Sequence, residues 1–500
     1  MSDIDSNSSQ LLAQISRSLS KSNTRGYLVG GFVRDLLLGR ETNDIDIAVP
    51  GDSLHLATLL ANDIDGKYIV LDEENKVARV VTTGREKLWY IDVTPFSRDI
   101  ETDLSRRDFS VDAMAVDIHE YVKGSKNIVD PYKGQDDLKK RLIRAVHPDI
   151  FKEDGVRLLR AVRLAAELHF QIEHETENLV KQYRKLIGLV PGEKIREELV
   201  RLFSIAGSSN YFYYLDELGL LLEMVPELAE MKGVSQPREH YWNVFDHSLK
   251  TVEAVEFLMR EAGWMVDKGI LEKVPWSDEL RVHFNKEVAA GSNRAFILKL
   301  GALFHDIAKP QTKAIDERDR TRFIGHPKQG AEITRAILSR LRFSTREIKL
   351  VEHLVYYHLR PVQMSNTGMP TNKAIYRFFR DAGDDGIDIL FLALADYLAT
   401  AGPRLDLEDW ERHTQLIAYI LNERDSQAEK MRPEKLIDGN ELMERFGLTP
   451  GPLIGKLLDL VHEAQATGDI SSRKEALELA KAILEKGNRG AGCFRPVNVI

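Results

Sequence analysis

Tyr27-Leu-Val-Gly-Gly-Phe-Val-Arg-Asp35, and the Asp44-Ile-Asp-Ile-Ala-Val49 that follows it, decide how the start of this chain folds. Leu28 to Gly31 read as a short strand meeting a glycine turn, and Phe32-Val-Arg-Asp-Leu-Leu-Leu38 reads as an amphipathic helix. The free N–H groups and dipole of that helix N-terminus favour an anion. Gly30 and Gly31 let a triphosphate come close, and Arg34 adds a bidentate donor. In the strand that follows, Asp44 and Asp46 stand at i and i+2, so both carboxylates leave one face while Ile45 and Ile47 enter the core. Such a pair suits two magnesium ions, one lowering the pKa of an attacking hydroxyl and the other neutralising a leaving pyrophosphate. This is equipment for metal-assisted nucleotidyl transfer. An Asp-x-Asp pair alone is as often a solvated turn; the ordered set is the stronger signal.

The chain, 43% apolar and 29% charged over 500 residues, is long enough for several cores. The expected fold is multidomain α+β: a small mixed α/β head over 1–145, an all-α neck over 146–230, a helical domain over 231–425 and a helical tail over 426–500. In the head, a helix is expected at Leu54 to Ala61 and strands at Tyr68 to Leu71, Val77 to Thr82 and Leu88 to Val93. No run of about 18 apolar residues reads as a membrane span, the first ten residues are polar, and the single Cys493 has no internal partner, so a cytoplasmic location is expected. The net charge of −9 speaks against a general nucleic-acid binder, yet Lys139 to Arg163 carry eight Lys/Arg against three Asp/Glu.

Two further motifs follow in order. Arg106-Arg-Asp-Phe-Ser-Val-Asp-Ala-Met-Ala115 precedes the basic stretch, and Phe151-Lys-Glu-Asp-Gly-Val-Arg-Leu-Leu-Arg-Ala-Val-Arg163 reads as one helix. On it Asp154, Arg157, Arg160 and Arg163 recur every three residues, with Leu158, Leu159, Val162 and Leu164 on the other side. Alone, that row is an ordinary surface face paired with its own acids. With the upstream motifs, the first 230 or so residues resemble the tRNA nucleotidyltransferases of the bacterial and eukaryotic type and the bacterial poly(A) polymerases, a branch of the DNA polymerase beta superfamily.

The resemblance implies that Asp44 and Asp46 are catalytic and hold Mg2+, that Arg107 binds the nucleotide, and that Asp154 and Arg157 bond to the edge of the incoming base. A carboxylate accepting from the exocyclic amine of C or A, beside a guanidinium donating to a ring nitrogen or carbonyl, replaces a template base; U and G leave Asp154 unpaired, at a cost of roughly 1 to 3 kcal/mol. Arg160 and Arg163 go by the same resemblance to the triphosphate or base. Asp112 stands where the family usually has Asn. The implied substrates are the tRNA 3' end, CTP and ATP. Family members that add all of CCA carry a flexible loop between the last head strand and Arg-Arg-Asp; here Ile91 to Ser105 runs almost directly into Arg106, which resembles the CC-adding enzymes. Arg85 to Trp89 is the place for a shortened equivalent.

Beyond the neck the pattern turns wholly helical, with a series His247, His305-Asp306, His326, His358 and Asp396. Any one of these histidines is more often structural than a ligand, but imidazoles and carboxylates where helices converge suit a divalent transition metal. The set resembles the HD phosphohydrolase superfamily, whose minimal ligands map to His247, His305, Asp306 and Asp396, with His326 and His358 as extra histidines for a second metal or phosphate. Some bacterial tRNA nucleotidyltransferases carry an HD domain that hydrolyses 2',3'-cyclic phosphates. His353 reads as structural and residues 265–294 as a polar insertion. In the tail, Thr449-Pro-Gly-Pro452 starts a helix, where Gly451 and Lys456 offer contacts for an RNA phosphate. Two rivals stand: a poly(A) polymerase, and an HD phosphohydrolase with an inactive RNA-binding head.

Overall fold

The computed structural model describes residues 6–83, 87–266, 269–365, 368–427 and 435–490. Cys493 and residues 84–86 of the shortened-loop reading lie outside them. The chain forms two compact units, Met1–Pro226 and Glu227–Ile500.

The first unit carries a six-stranded sheet, β1 (Tyr27–Val29), β2 (Asp44–Pro50), β3 (Lys67–Asp72), β4 (Val77–Thr83), β5 (Leu88–Phe96) and β6 (Ala115–Asp117), in the order β3-β4-β5-β2-β1-β6. Only β2 and β5 run parallel; the other pairs are antiparallel. Alternation does the sorting: Ile45 and Ile47 of β2 and Ile91 and Val93 of β5 are buried, while Asp44, Asp46 and Asp92 are left on the other face. Helix α1 (Ser6–Lys21) packs on α3 (Ser53–Asp63), and α3 lies on β3, β4 and β5, closing the apolar side. Helix α2 (Gly30–Leu38) joins β1 to β2 and ends at Gly39 in the left-handed conformation.

The helix expected from Phe151 is two helices, Ile150–Glu153 and Arg157–Leu168, separated by an extended Asp154. Next to it the chain passes close to a neighbour at Gly155, where a Cβ would stand 2.8 Å from the Leu186 carbonyl oxygen and 2.9 Å from Val190, so only glycine fits. Further along the neck, the helices Asn210–Glu217 and Leu220–Met224 are separated at Gly219, which has φ of 75°.

The second unit is helical around Val244–Leu258, Arg294–Phe304, Thr345–Tyr357 and Asp385–Ala401, which contact one another directly. It is not wholly helical: Glu287–Ala289 pairs with Ser292–Asn293, and Lys313–Ile315 with Thr321–Phe323. The segment Asp385–Arg404 is long and apolar enough by composition to cross a membrane, which corrects the expectation of no such run; it is mostly buried, as the central helix of a packed bundle is. The tail has its own small core, Leu442, Leu457, Val461 and Ala476 among its members. It is pinned to the helix Asn372–Ala382 by the buried Glu463, which accepts from Lys373 at 2.8 Å and from both ends of the Arg377 fork at 2.7 and 2.8 Å.

Candidate active sites

In the head, Asp46 of β2 sits in parallel register with Asp92 of β5, and Asp44 with Tyr90. Three carboxylates therefore share one face, where two were read from the sequence. Burial, opposed by the Arg107 guanidinium and reinforced by Asp92, Asp112 and Asp44, pushes the Asp46 carboxyl up to about 6. Gly30 has φ of 66°, and a Cβ there would lie 2.7 Å from Arg107 Nη1 and 2.9 Å from Asp46 Oδ2. Only glycine lets the start of α2, Arg107 and Asp46 meet. Gly31 is less constrained: its Cβ would lie 3.3 Å from Arg34 Nη2. Arg107 is steadied by Asp103, whose Oδ2 accepts from Nε at 3.3 Å and Nη2 at 3.2 Å.

Arg34 is not the open anion donor expected. It is buried; Nη1 donates to Asp112 Oδ1 at 2.7 Å, and Nε and Nη2 donate to Asp35 at 3.0 and 3.1 Å. Asp112, in the family's Asn position, thus supplies the counter-charge for Arg34. Arg163 departs more clearly: buried, it donates to Glu198 at 2.5 Å and Glu167 at 2.7 Å, tying its helix to Gly192–Phe203. Arg160 donates to the buried Asp108 at 2.5 Å, and Arg157 donates to the carbonyls of Arg106 and Ile150 at 2.9 and 3.2 Å and to Glu153 at 2.8 Å. These arginines bind the Arg106-Arg-Asp motif to the neck. Asp154 accepts from the Val156 amide at 3.1 Å and stands half-exposed, 3.7 Å from Lys194 Nζ.

In the second unit six predicted residues meet. His247 Nε2 lies 3.2 Å from His305 Nε2 and 3.0 Å from Asp396 Oδ1. His326 Nε2 lies 3.2 Å from His358 Nε2. Asp306 joins the two pairs, Oδ2 at 3.1 Å from His305 and Oδ1 at 3.3 Å from His326. The Nδ1 atoms of His305, His326 and His358 face the carbonyls of Ala302, Phe323 and Val355 at 2.8, 2.7 and 2.7 Å. For His326 and His358, donation there leaves both Nε2 atoms a lone pair, and lone pairs 3.2 Å apart do not hydrogen-bond; a cation between them resolves the conflict. Burial holds His247 below the ordinary imidazole range and His358 at about 3, so both are neutral at pH 7, the ligating form. Against burial, His305 and Lys309 hold Asp306 far below the carboxylate range.

The residues offer two ligand groups, His247–His305–Asp306 and Asp306–His326–His358. The site opens into a cleft of about 360 Å³ whose walls include Lys309, Arg322, Phe323, Leu359, Val362 and Tyr397. Lys309 Nζ lies 2.6 Å from Asp306 and donates to Gln236 Oε1 at 2.6 Å. His353 pairs with Asp385 at 3.0 Å and stays outside the cluster, as expected. Gly451 and Lys456 are exposed, Gly451 just before the helix Pro452–Ala466 and Lys456 on it.

A glycine-started helix beside carboxylates on adjacent strands, followed along the chain by helices and a His/Asp cluster, is the arrangement of a nucleotidyltransferase head and an HD domain. Known families match in the same order: Poly A polymerase head domain over residues 26–144, Probable RNA and SrmB-binding site of polymerase A over 169–232, HD domain over 244–401, and tRNA nucleotidyltransferase domain 2 putative over 323–480. An A-adding tRNA nucleotidyltransferase of Deinococcus radiodurans is 33% identical over 456 residues, 90% of this chain and 93% of its own length. A CC-adding tRNA nucleotidyltransferase of Thermus thermophilus is 32% identical over 460 residues, 90% and 92% of the two chains. In fold, a CCA-adding enzyme solved with ATP matches with a TM-score of 0.64 at 22% identity over 99% of this chain and 97% of its own. The Thermotoga maritima CCA-adding enzyme complexed with tRNA matches at 0.60 and 23%, over 97% of each. The chain belongs to the tRNA nucleotidyltransferase family and is an enzyme of that class. Neither rival reading is favoured by these relatives.

Proposed function

We propose that the head transfers CMP from CTP to the 3' end of tRNA without a nucleic-acid template, adding CC, and that the HD cluster is a linked metal-dependent phosphohydrolase. The three-carboxylate face beside Gly30 carries the first part. Asp44, Asp46 and Asp92 would hold the divalent ions, two Mg2+, which when bound acidify the attacking hydroxyl and neutralise pyrophosphate. The raised Asp46 supports that fit: crowded carboxylates on a partly buried face have a charge that a cation relieves. Arg107 and the α2 N-terminus receive the triphosphate, and Asp154 with Arg157 reads the base. Arg34, Arg160 and Arg163 act through the carboxylates they hold. The segment between β5 and Arg106 holds only the short helix α4 (Ile100–Ser105), leaving no long loop there for a change from CTP to ATP. Overall similarity does not choose between A and C, since the A-adding and CC-adding relatives differ by one percentage point. Asp44→Ala and Asp46→Ala are expected to abolish transfer and spare tRNA binding; turnover retained in both defeats the assignment.

For the HD cluster, a transition metal held by His247, His305, Asp306 and Asp396, with a second ion at His326 and His358, would activate water against a phosphate ester, and Lys309 and Arg322 in the cleft suit the phosphate. By family resemblance the substrate is a 2',3'-cyclic phosphate. Asp306→Asn is expected to lose that hydrolysis and keep nucleotide transfer. The tail, with Gly451 and Lys456, contacts the tRNA body.

A further inference from the structure

One row across three strands of the head reads Arg79, Asp92, Asp46: Arg79 of β4 is the cross-strand partner of Asp92, and Asp92 is in register with Asp46. Arg79 grips Asp92 by both oxygens, Nε to Oδ1 at 2.7 Å and Nη2 to Oδ2 at 2.8 Å, and its guanidinium lies 5.3 Å from the centre of the Tyr90 ring. The fork uses two of five N–H groups, and the side chain is 34% exposed, so donors remain for a further acceptor. Its charge also feels Asp44 and Asp46. No part of the reaction described above uses this arginine.

The sheet order says which substrate it faces. Gly30 and Arg107 border Asp46 from the β1 side, while Arg79 lies on β4, across β5, on the other side of the carboxylates. In an in-line displacement the attacking and leaving oxygens occupy opposite sides of the phosphorus. With the triphosphate at the α2 N-terminus, the RNA hydroxyl approaches from the β5–β4 side.

We propose that Arg79, over the Tyr90 ring, is the acceptor-side residue of the head: it holds Asp92 beside Asp46 and binds the last phosphodiester of the RNA 3' end. This rests on the reading of the head as a tRNA 3'-end nucleotidyltransferase. A guanidinium on an aromatic ring, next to the carboxylate nearest the incoming hydroxyl, suits a backbone phosphate with a stacked terminal nucleotide.

The test is equilibrium binding of a tRNA transcript lacking its CCA end to the full chain, without nucleotide and across a salt series, with steady-state kinetics alongside. Arg79→Gln is expected to weaken tRNA binding about tenfold, the size of one charge-assisted hydrogen bond. It should also lower the salt dependence by about one phosphate contact and raise the KM for tRNA while leaving the KM for nucleotide within about twofold. Arg79→Lys, which keeps the charge but not the fork, should retain the salt dependence and lose kcat. Unchanged tRNA affinity and salt dependence in Arg79→Gln overturn the proposal, as does an equal rise in the nucleotide KM. Asp92→Asn separates the underlying reading: full turnover in that variant defeats the three-carboxylate site whatever Arg79 does to RNA binding.

Discussion

Replacing Asp46 by Asn should abolish transfer and at the same time make the head harder to unfold. Its carboxyl is pushed up to about 6, first by burial and then, against the pull of Arg107, by Asp92, Asp112 and Asp44; the ordinary value is 3.8. Because the folded state holds this proton more tightly than the unfolded chain does, the charge costs nothing where both forms are protonated. Its cost sets in as pH rises past the ordinary value of 3.8, grows up to about 6 and is complete above about pH 7. A rise from 3.8 to about 6 corresponds to about 3 kcal/mol, and solvent access to the half-open face brings the expected figure to about 1 to 3 kcal/mol. Asp46→Asn removes that cost, raising Tm by about 3 to 9 °C at pH 8 and by roughly half as much at pH 5, where the parent carboxyl is partly protonated. The assay is thermal unfolding of both proteins in EDTA at the two pH values. A variant less stable than the parent at pH 8, or a gain that does not shrink at pH 5, would refute the picture of a strained carboxylate cluster.

Other consequences are as concrete. Gly30→Ala should cut kcat by about a hundredfold or more, since its Cβ meets both Arg107 and Asp46 and φ of 66° strains any side chain; steady-state rates check it. Arg163→Ala should destabilise the first unit by about 3 to 5 kcal/mol by leaving Glu198 buried without its partner, with little change in nucleotide KM in the fraction that folds; urea unfolding and kinetics separate the two. Asp154→Ala should relax base choice by about tenfold more than it weakens triphosphate binding, read from competition of CTP with UTP. Asp306→Asn should lower the metal content of the purified protein at both ligand groups, measured by elemental analysis, because its two oxygens face both histidine pairs.

What the sequence made legible is local. Period-two alternation put Asp44 and Asp46 on one face, and the glycine pair started α2, because both depend on neighbours along the chain. The HD residues were legible as a series through the resemblance to the HD pattern, although they lie on or beside separate helices far apart in sequence. Asp92 was missed because its partnership with Asp46 is set by register between strands far apart in sequence; the signal was an acid inside the apolar alternation Ile91-Asp-Val93. Arg34 was read as an anion donor from its place on α2, and Arg163 was carried to the triphosphate or base by resemblance; neither ground says which carboxylates reach a side chain first. The helix break at Asp154 lies beside the close approach of Gly155 to the Leu186 carbonyl, a tertiary contact that helical periodicity does not register.

The most direct test of the central claim is extension of a tRNA transcript lacking its CCA end with CTP alone, ATP alone and both, products resolved at single-nucleotide length. Two added residues with CTP, and no third when ATP joins, are expected. Three residues with both nucleotides would contradict the CC-adding assignment, one residue from ATP alone on a transcript ending in CC would make this an A-adding enzyme, and no addition under any condition would contradict the head's role as a transferase.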